Sequence, residues 1–376
     1  MSENLILSID AMGGDNAPEM VVEGLTIALD RHPDARFLLY GDEARLKPFL
    51  DAHARLRKVC EIRHADDVIT NDAKPAQALR NGRQSSMRLA INAVKDGEAT
   101  GIVSAGNTGA LMAMAKFVLK TLPGIDRPAI ATSFPTMRAK TVMLDLGANV
   151  ECDAENLVQF AVMGEVFARN VLGLEQPSVG ILNVGQEDLK GNTAVKQAAA
   201  MLQEADLPIK FYGFVEGDDL AAGTVDVIVT DGFTGNISLK SIEGTAKMFA
   251  HFLRESLMGS VRGKLGATIA KKALLEFKDR LDPRRYNGAM FLGLNGICVK
   301  SHGGTDGLGF SNAIRVAIEL INDGVNDGIK DDFAHISEAI LLVRERAEEE
   351  ARAAEREAQV AAEAARNEGK DRAVSL

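Results

Sequence analysis

Short apolar runs alternate with helix-length segments along most of this chain, and that alternation constrains the fold more than any other feature. The runs are LILSID (5–10), RFLLYG (36–41), KVCEIR (58–63), GIVSA (101–105), TVMLDL (141–146), VGILNV (179–184), IKFYGFV (209–215) and VDVIVT (225–230). Runs this short, alternating with helix-length segments, read as strands of a sheet covered on both faces. Amphipathic segments such as 19–31, 155–172 and 193–205 lie between them. Parallel strands need crossovers of this length, and helices supply them while covering the sheet. The expected architecture is α/β, a three-layer α/β/α sandwich with a mostly parallel sheet.

In such sheets ligands bind beyond the carboxyl ends of the strands. The residues that follow the runs are rich in Gly, Asn and Asp: MGGD, AGNTG, GAN, GQEDLKGN and DGFTGN. Any one of these is compatible with ordinary turn chemistry; together they are expected to converge at the same end of one sheet. Other classes are disfavoured. The chain has no GxGxxG, GxxxxGK[ST], GxSxG or HExxH, which argues against dinucleotide fingerprints, P-loops, elbow-type hydrolases and zincins. Three cysteines far apart in sequence and six histidines without ligand spacing support neither a disulfide framework nor a metal site. A net charge of -10 and the lack of tryptophan argue against nucleic acid. No export signal or run of the ~18 apolar residues a span requires is visible.

Four segments carry candidate chemistry. SAGNTGALMAMAKFVL (104–119) places a glycine turn between a strand and a helix, where free amides and the helix dipole suit an anion. Ser104, Gly106, Asn107 and Thr108 are the candidate ligands there, and close packing of the turn is the alternative. DAKPAQALRNGRQSSM (72–87) brings the cations Lys74, Arg80 and Arg83 and the pair Ser85 and Ser86, which would equally serve as a helix cap. NVGQEDLKGN (183–192) offers Lys190 to a developing oxyanion. VKSHGGTDGLGF (299–310) offers Lys300 and His302, the latter as base or donor or as a simple loop bond.

Taken in order, IDAMGGDNAP (9–18), KPAQALRNGRQSSM (74–87), SAGNTGA, DLGAN (145–149), YGFVEGDD (212–219), DGFTGN (231–236), YNGAMFLGLNG (286–296) and VKSHG resemble the bacterial phosphate acyltransferase family. The resemblance implies transfer of a long-chain acyl group from acyl carrier protein to inorganic phosphate, giving an acyl phosphate for phospholipid synthesis. A membrane-embedded acyl-phosphate:glycerol-3-phosphate acyltransferase would use that product. It also implies a homodimer with a fold similar to isopropylmalate dehydrogenases and phosphate acetyltransferases, and no metal or cofactor.

On this reading Ser104, Gly106, Asn107 and Thr108 cradle phosphate, with Asn107 also catalytic; Lys190 and Asn236 stabilise charge and His302 assists. Asp10, Gly14 and Asp15 shape the first loop. Lys74, Arg80, Ser85, Ser86, Asn149 and Lys300 complete the substrate site. The nearest rival is a phosphate acetyltransferase-like enzyme that uses acyl coenzyme A. Residues 1–335 are expected to form the catalytic domain and 344–376 a charged helical or disordered tail. Residues 254–281, locally basic and amphipathic, are expected to touch the membrane, the carrier protein or a dimer partner. The protein would be cytoplasmic and peripherally associated with the inner face of the cell membrane.

Overall fold

The computed structural model describes residues 5–333, apart from 205, 206 and 208; the tail expected at 344–376 lies outside them. One sheet of eleven strands runs through the molecule. In chain order the strands are β1 (Ile6–Asp10), β2 (Arg36–Gly41), β3 (Cys60–His64), β4 (Gly101–Ser104), β5 (Ala129–Pro135), β6 (Lys140–Leu144), β7 (Ser178–Leu182), β8 (Lys210–Val215), β9 (Val227–Val229), β10 (Ala289–Leu292) and β11 (Ile297–Lys300). The helices are α1 (Glu19–Arg31), α2 (Glu43–Ala52), α3 (Pro75–Asn81), α4 (Ser86–Lys95), α5 (Thr108–Leu119), α6 (Ala154–Leu172), α7 (Thr193–Glu204), α8 (Asp219–Ala222), α9 (Gly232–Met258), α10 (Val261–Ile269), α11 (Lys271–Arg280) and α12 (Gly307–Asn322).

Successive side chains of the central strands enter opposite cores, as the pleat requires. Leu7, Ile9, Val103, Val142, Leu144, Val227 and Val229 pack with α1, α6 and α12. Their neighbours Ile102, Met143 and Ile228 pack on the other face with α4 and α5. The three-layer sandwich is therefore built as the runs require: each central strand is apolar on both sides because both sides are covered.

The strand order is β3-β2-β1-β4-β11-β10-β5-β6-β9-β7-β8. β1, β2, β3, β4 and β11 are parallel, whereas β10 is antiparallel to both β11 and β5. β6 is antiparallel to β5 and parallel to β9, which with β7 and β8 completes the second half. Strand direction thus reverses between β5 and β6. This corrects one expectation: the loops after β6, β7 and β9 leave the opposite edge of the sheet from those after β1, β4 and β11. The reversal depends on β5 and β10, whose sequences do not stand out as isolated apolar runs.

Residues 254–281 form the end of α9, α10 and α11, a projection that touches the body mainly through α9. Several of their apolar residues are not core: Val261 is 84% exposed and Ile269 80%. Among the described residues no helix is long and apolar enough to cross a membrane.

Candidate active site

At the carboxyl ends of β1, β4 and β11 a buried carboxylate organises the surrounding loops. Asp10, the last residue of β1, is 1% exposed and accepts hydrogen bonds from Ser86 Oγ at 2.6 Å and Ser104 Oγ at 2.7 Å. Backbone amides of Met12 and Gly13 also donate to it, yet burial dominates and holds its pKa above the usual carboxylate value. Ser104 Oγ in turn accepts from the Gly106 amide at 3.1 Å. A single side chain therefore joins β1, the start of α4 and the glycine turn that leads into α5.

The first loop can approach that turn only because it lacks side chains. A Cβ on Gly13 would stand 2.7 Å from the Gly106 amide nitrogen, and Gly14 holds a φ of +105° that L side chains rarely adopt. Next in the loop, Asp15 donates its amide to the Gly303 carbonyl at 2.9 Å and accepts from Asn71 Nδ2 at 2.7 Å. The segments MGGD, AGNTG and SHGG thus meet in one place.

Lys300 and His302 complete this cluster from the end of β11. Lys300 Nζ is partly buried and donates to the Ala105 carbonyl at 3.3 Å and to the Ser301 carbonyl, and among the described residues no carboxylate forms an ion pair with it. Desolvation pulls its pKa down to about 8, although Asp10 and Asp15 oppose the shift. The His302 Nδ1 accepts the Gly304 amide at 3.1 Å, so the neutral ring carries its proton on Nε2. Desolvation and the ammoniums of Lys240 and Lys300 keep the ring's pKa below normal. Asn287 braces the strand end, donating to Ser301 Oγ at 2.8 Å and accepting the His302 amide at 2.9 Å.

Other expected residues are placed elsewhere or are already engaged. Asn107 caps α5 by accepting the Ala110 amide at 2.9 Å, and its amide hydrogens go to the carbonyls of Asn71 and Ala73. Its side chain is thus spent within the protein, contrary to the expected role as a donor to substrate, because the cap and the brace use every polar atom it has. Ser85 is likewise a cap, accepting the Arg88 amide and donating to the Gly82 carbonyl. Thr108 is exposed at the start of α5, and Lys74 is exposed just before α3. Arg80 bonds the Ala76 carbonyl and lines a groove on the outer face of α3, α4 and α5.

Lys190, Asn149 and Asn236 belong to the opposite edge. Asn149 is 8% exposed and bonds Asp145 and the Pro128 carbonyl. Asp145, fully buried, also accepts the amides of Ile130, Gly147, Ala148 and Asn149, which makes it the organiser of that edge. Lys190 and Asn236 are exposed there. Among the described residues no hydrogen bond or ion pair joins these three to the Asp10 cluster. The link between edges is α9, which starts beside Asp145 and Asn149 and brings Lys240 close enough for its charge to act on Lys300 and His302.

A family model described as "Fatty acid synthesis protein" matches residues 5–327. The phosphate acyltransferase of Rhodospirillum rubrum is 61% identical over 336 residues, covering 89% of this chain and 96% of its own length. That of Paramagnetospirillum magneticum is 60% identical over 339 residues, covering 90% and 97%. The chain belongs to the phosphate acyltransferase family. It is accordingly an enzyme that transfers an acyl group to phosphate.

Solved structures agree on the fold alone. A phosphotransacetylase from Streptococcus pyogenes superposes with a TM-score of 0.57 at 15% identity, covering 86% of this chain and 95% of its own. A branched-chain phosphotransacylase from Enterococcus faecalis V583 gives 0.53 at 13% identity, covering 84% and 99%. The phosphate acyltransferase motifs map onto both edges of the sheet. Sequence reading singled out neither Asn287 nor Asp145 as a site residue, although both lie in quoted motifs (YNGAMFLGLNG and DLGAN). Lys240 carried no signal at all, since it is one lysine on a long helix until α9 folds past β11.

Proposed function

We propose that this enzyme transfers a long-chain acyl group from an acyl-carrier-protein thioester to inorganic phosphate, releasing the carrier thiol and an acyl phosphate that feeds phospholipid synthesis. The observation that carries the reading is Lys300: a partly buried ammonium, without a carboxylate ion pair among the described residues, beside the glycine turns of the Asp10 cluster. A cation in that setting is under-compensated and is neutralised best by an anion such as phosphate.

A phosphate oxygen attacks the thioester carbonyl, the new C–O bond forms, and the C–S bond then breaks with the electron pair leaving on sulfur. Phosphate is a competent nucleophile and a thioester an activated acyl donor, so positioning and stabilisation of the tetrahedral oxyanion are the main demands. Lys300, the glycine turn at Gly106 and Thr108 hold phosphate; neutral His302 steadies the departing sulfur with a hydrogen bond from Nε2–H, and the thiolate takes up the proton that the attacking hydrogen phosphate loses. Lys190 and Asn236 act on the oxyanion from the other half of the sheet. The acyl phosphate then passes to a membrane-embedded acyl-phosphate:glycerol-3-phosphate acyltransferase.

Incubation with acyl-carrier-protein thioester and labelled phosphate is expected to give acyl phosphate, trapped by hydroxylamine as the hydroxamate. Product from acyl coenzyme A alone would sink the carrier-protein reading in favour of a phosphate acetyltransferase-like enzyme.

Homodimerisation and peripheral attachment to the inner face of the cell membrane belong to the same proposal. Phe249, Phe252, Val261, Leu265 and Ile269 on α9 and α10 are all more than half exposed. An apolar surface of that extent is normally covered by another molecule, and a second copy with anionic lipid at the tip would cover it.

A further inference from the structure

We propose that the groove on the outer face of α3, α4 and α5 is the docking face for the carrier that delivers the acyl group, gripping an acidic helical surface of that protein through Arg80, Arg83 and Arg88. The inference rests on the reading of the donor as a carrier-bound thioester and adds where that carrier sits.

The groove has a volume of about 580 Å³, and Leu79, Leu89 and Phe117 line it together with the three arginines. None of the ion pairs among the described residues involves Arg80, Arg83 or Arg88. Their internal bonds go to neutral acceptors: Arg80 Nε to the Ala76 carbonyl and Arg88 Nε to Asn92 Oδ1, both at 3.2 Å. Most of their N–H groups thus remain for an external partner. On a chain with a net charge of -10, three neighbouring guanidiniums without a carboxylate partner are a local exception that complements an acidic surface.

Phe117 supplies the contact that charge alone lacks. It is 54% exposed, with the Arg88 guanidinium 5.3 Å from its ring centre and Lys120 Nζ 5.1 Å from it. An exposed aromatic held between cations is hot-spot chemistry for a protein partner. A lipid surface fits less well. The groove is concave, and it offers one exposed aromatic where α10 offers a row of aliphatic side chains for insertion.

The groove also joins the proposed active site through the backbone. Arg83 and Gln84 lead directly to Ser85, the cap of α4, and to Ser86, which donates to Asp10. Asn107 ties the segment before α3 to the start of α5. A carrier seated here has its tethered thioester beside the edge where β1, β4 and β11 end.

The test is the double variant Arg83→Glu/Arg88→Glu, both positions lying outside the proposed catalytic groups. The KM for acyl-carrier-protein thioester is expected to rise about 10-fold or more and to lose most of its salt dependence. The KM for phosphate and the thermal midpoint should stay near wild type. Arg83→Lys/Arg88→Lys should keep most of the carrier affinity, since it preserves charge. An unchanged carrier KM in the glutamate variant overturns the proposal. So does an equal rise in the KM for phosphate, or loss of anionic-vesicle binding with carrier KM intact. A wild-type enzyme that fails to turn over the carrier thioester overturns the reading of the donor as well, whereas an active wild type with an insensitive variant overturns only the docking face.

Discussion

Asp10 holds its place at a cost that its neighbours offset. The carboxylate is buried, and each bond from Ser86, Ser104 and the Met12 and Gly13 amides restores part of the lost hydration. Asp10→Ala would leave two hydroxyls and two amides without an acceptor, and a loss of about 3–5 kcal/mol is expected, read by denaturant titration. Ser85→Ala removes only a cap and should cost about 1 kcal/mol. Equal losses in the two variants would show that Asp10 is not the organiser.

Lys300 presents the opposite balance. Its folded pKa of about 8 lies below the ordinary lysine value of 10.5, so the unfolded chain binds more protons between these values and stability from this group rises with pH across that window. Below about pH 8 the charged side chain penalises the fold, by about 2 kcal/mol after solvent screening. Lys300→Met should therefore raise the thermal midpoint while lowering kcat/KM roughly 100-fold or more. For the wild type, kcat/KM should fall as pH rises above about 8, because the ammonium loses its proton; Lys300→Arg should flatten that limb. A profile with no inflection near pH 8 would remove Lys300 from the reaction.

At the scale of elements, α9 decides how the two sheet edges communicate. Its first turn is wedged against the loop after β6: Asp231 caps Thr234, and a Cβ on Gly235 would overlap the Asp145 carbonyl oxygen. A backbone atom cannot rotate away as a side chain can, so Gly235→Ala should destabilise the chain by about 3 kcal/mol and displace α9. A wild-type melting curve for that variant would show that the start of α9 is looser than its packing implies. The far end of α9 and α10 behaves differently. Val261→Glu/Leu265→Glu replaces side chains 84% and 63% exposed, so the stability of a single copy should change by less than about 0.5 kcal/mol. Dimerisation or vesicle binding should be lost instead, by sedimentation and flotation respectively. If both survive, the projection is not the covering surface proposed for it.

For the whole molecule, the proposed reaction draws on both edges of the sheet. Lys300 stands at the end of β11 and Lys190 after β7, on strands of opposite direction. Two groups that stabilise the same transition state do not add, whereas groups in independent sites do. The variant carrying both Lys190→Ala and Lys300→Met is expected to fall short of the product of the single losses in kcat/KM. Full additivity would separate Lys190 from the chemistry and leave the Asp10 edge to act without it.

Much of this protein was legible in its residues. Apolar runs too short for helices, separated by amphipathic segments, specify a covered parallel sheet because that arrangement buries both faces of the central strands. The glycine motifs likewise announced loops that approach one another closely, as Gly13 and Gly14 do beside Gly106. Sequence did not reveal the reversal at β5 and β6, since strand direction is a property of pairing and leaves no local pattern. Nor did it separate Ser86, which meets Asp10, from Ser85, which caps a helix, or show that Asn107 is consumed by capping its own helix and bracing the segment before α3. A residue type states which bonds a side chain can make; only the packed chain, by bringing distant segments within about 3 Å, decides which bonds it makes.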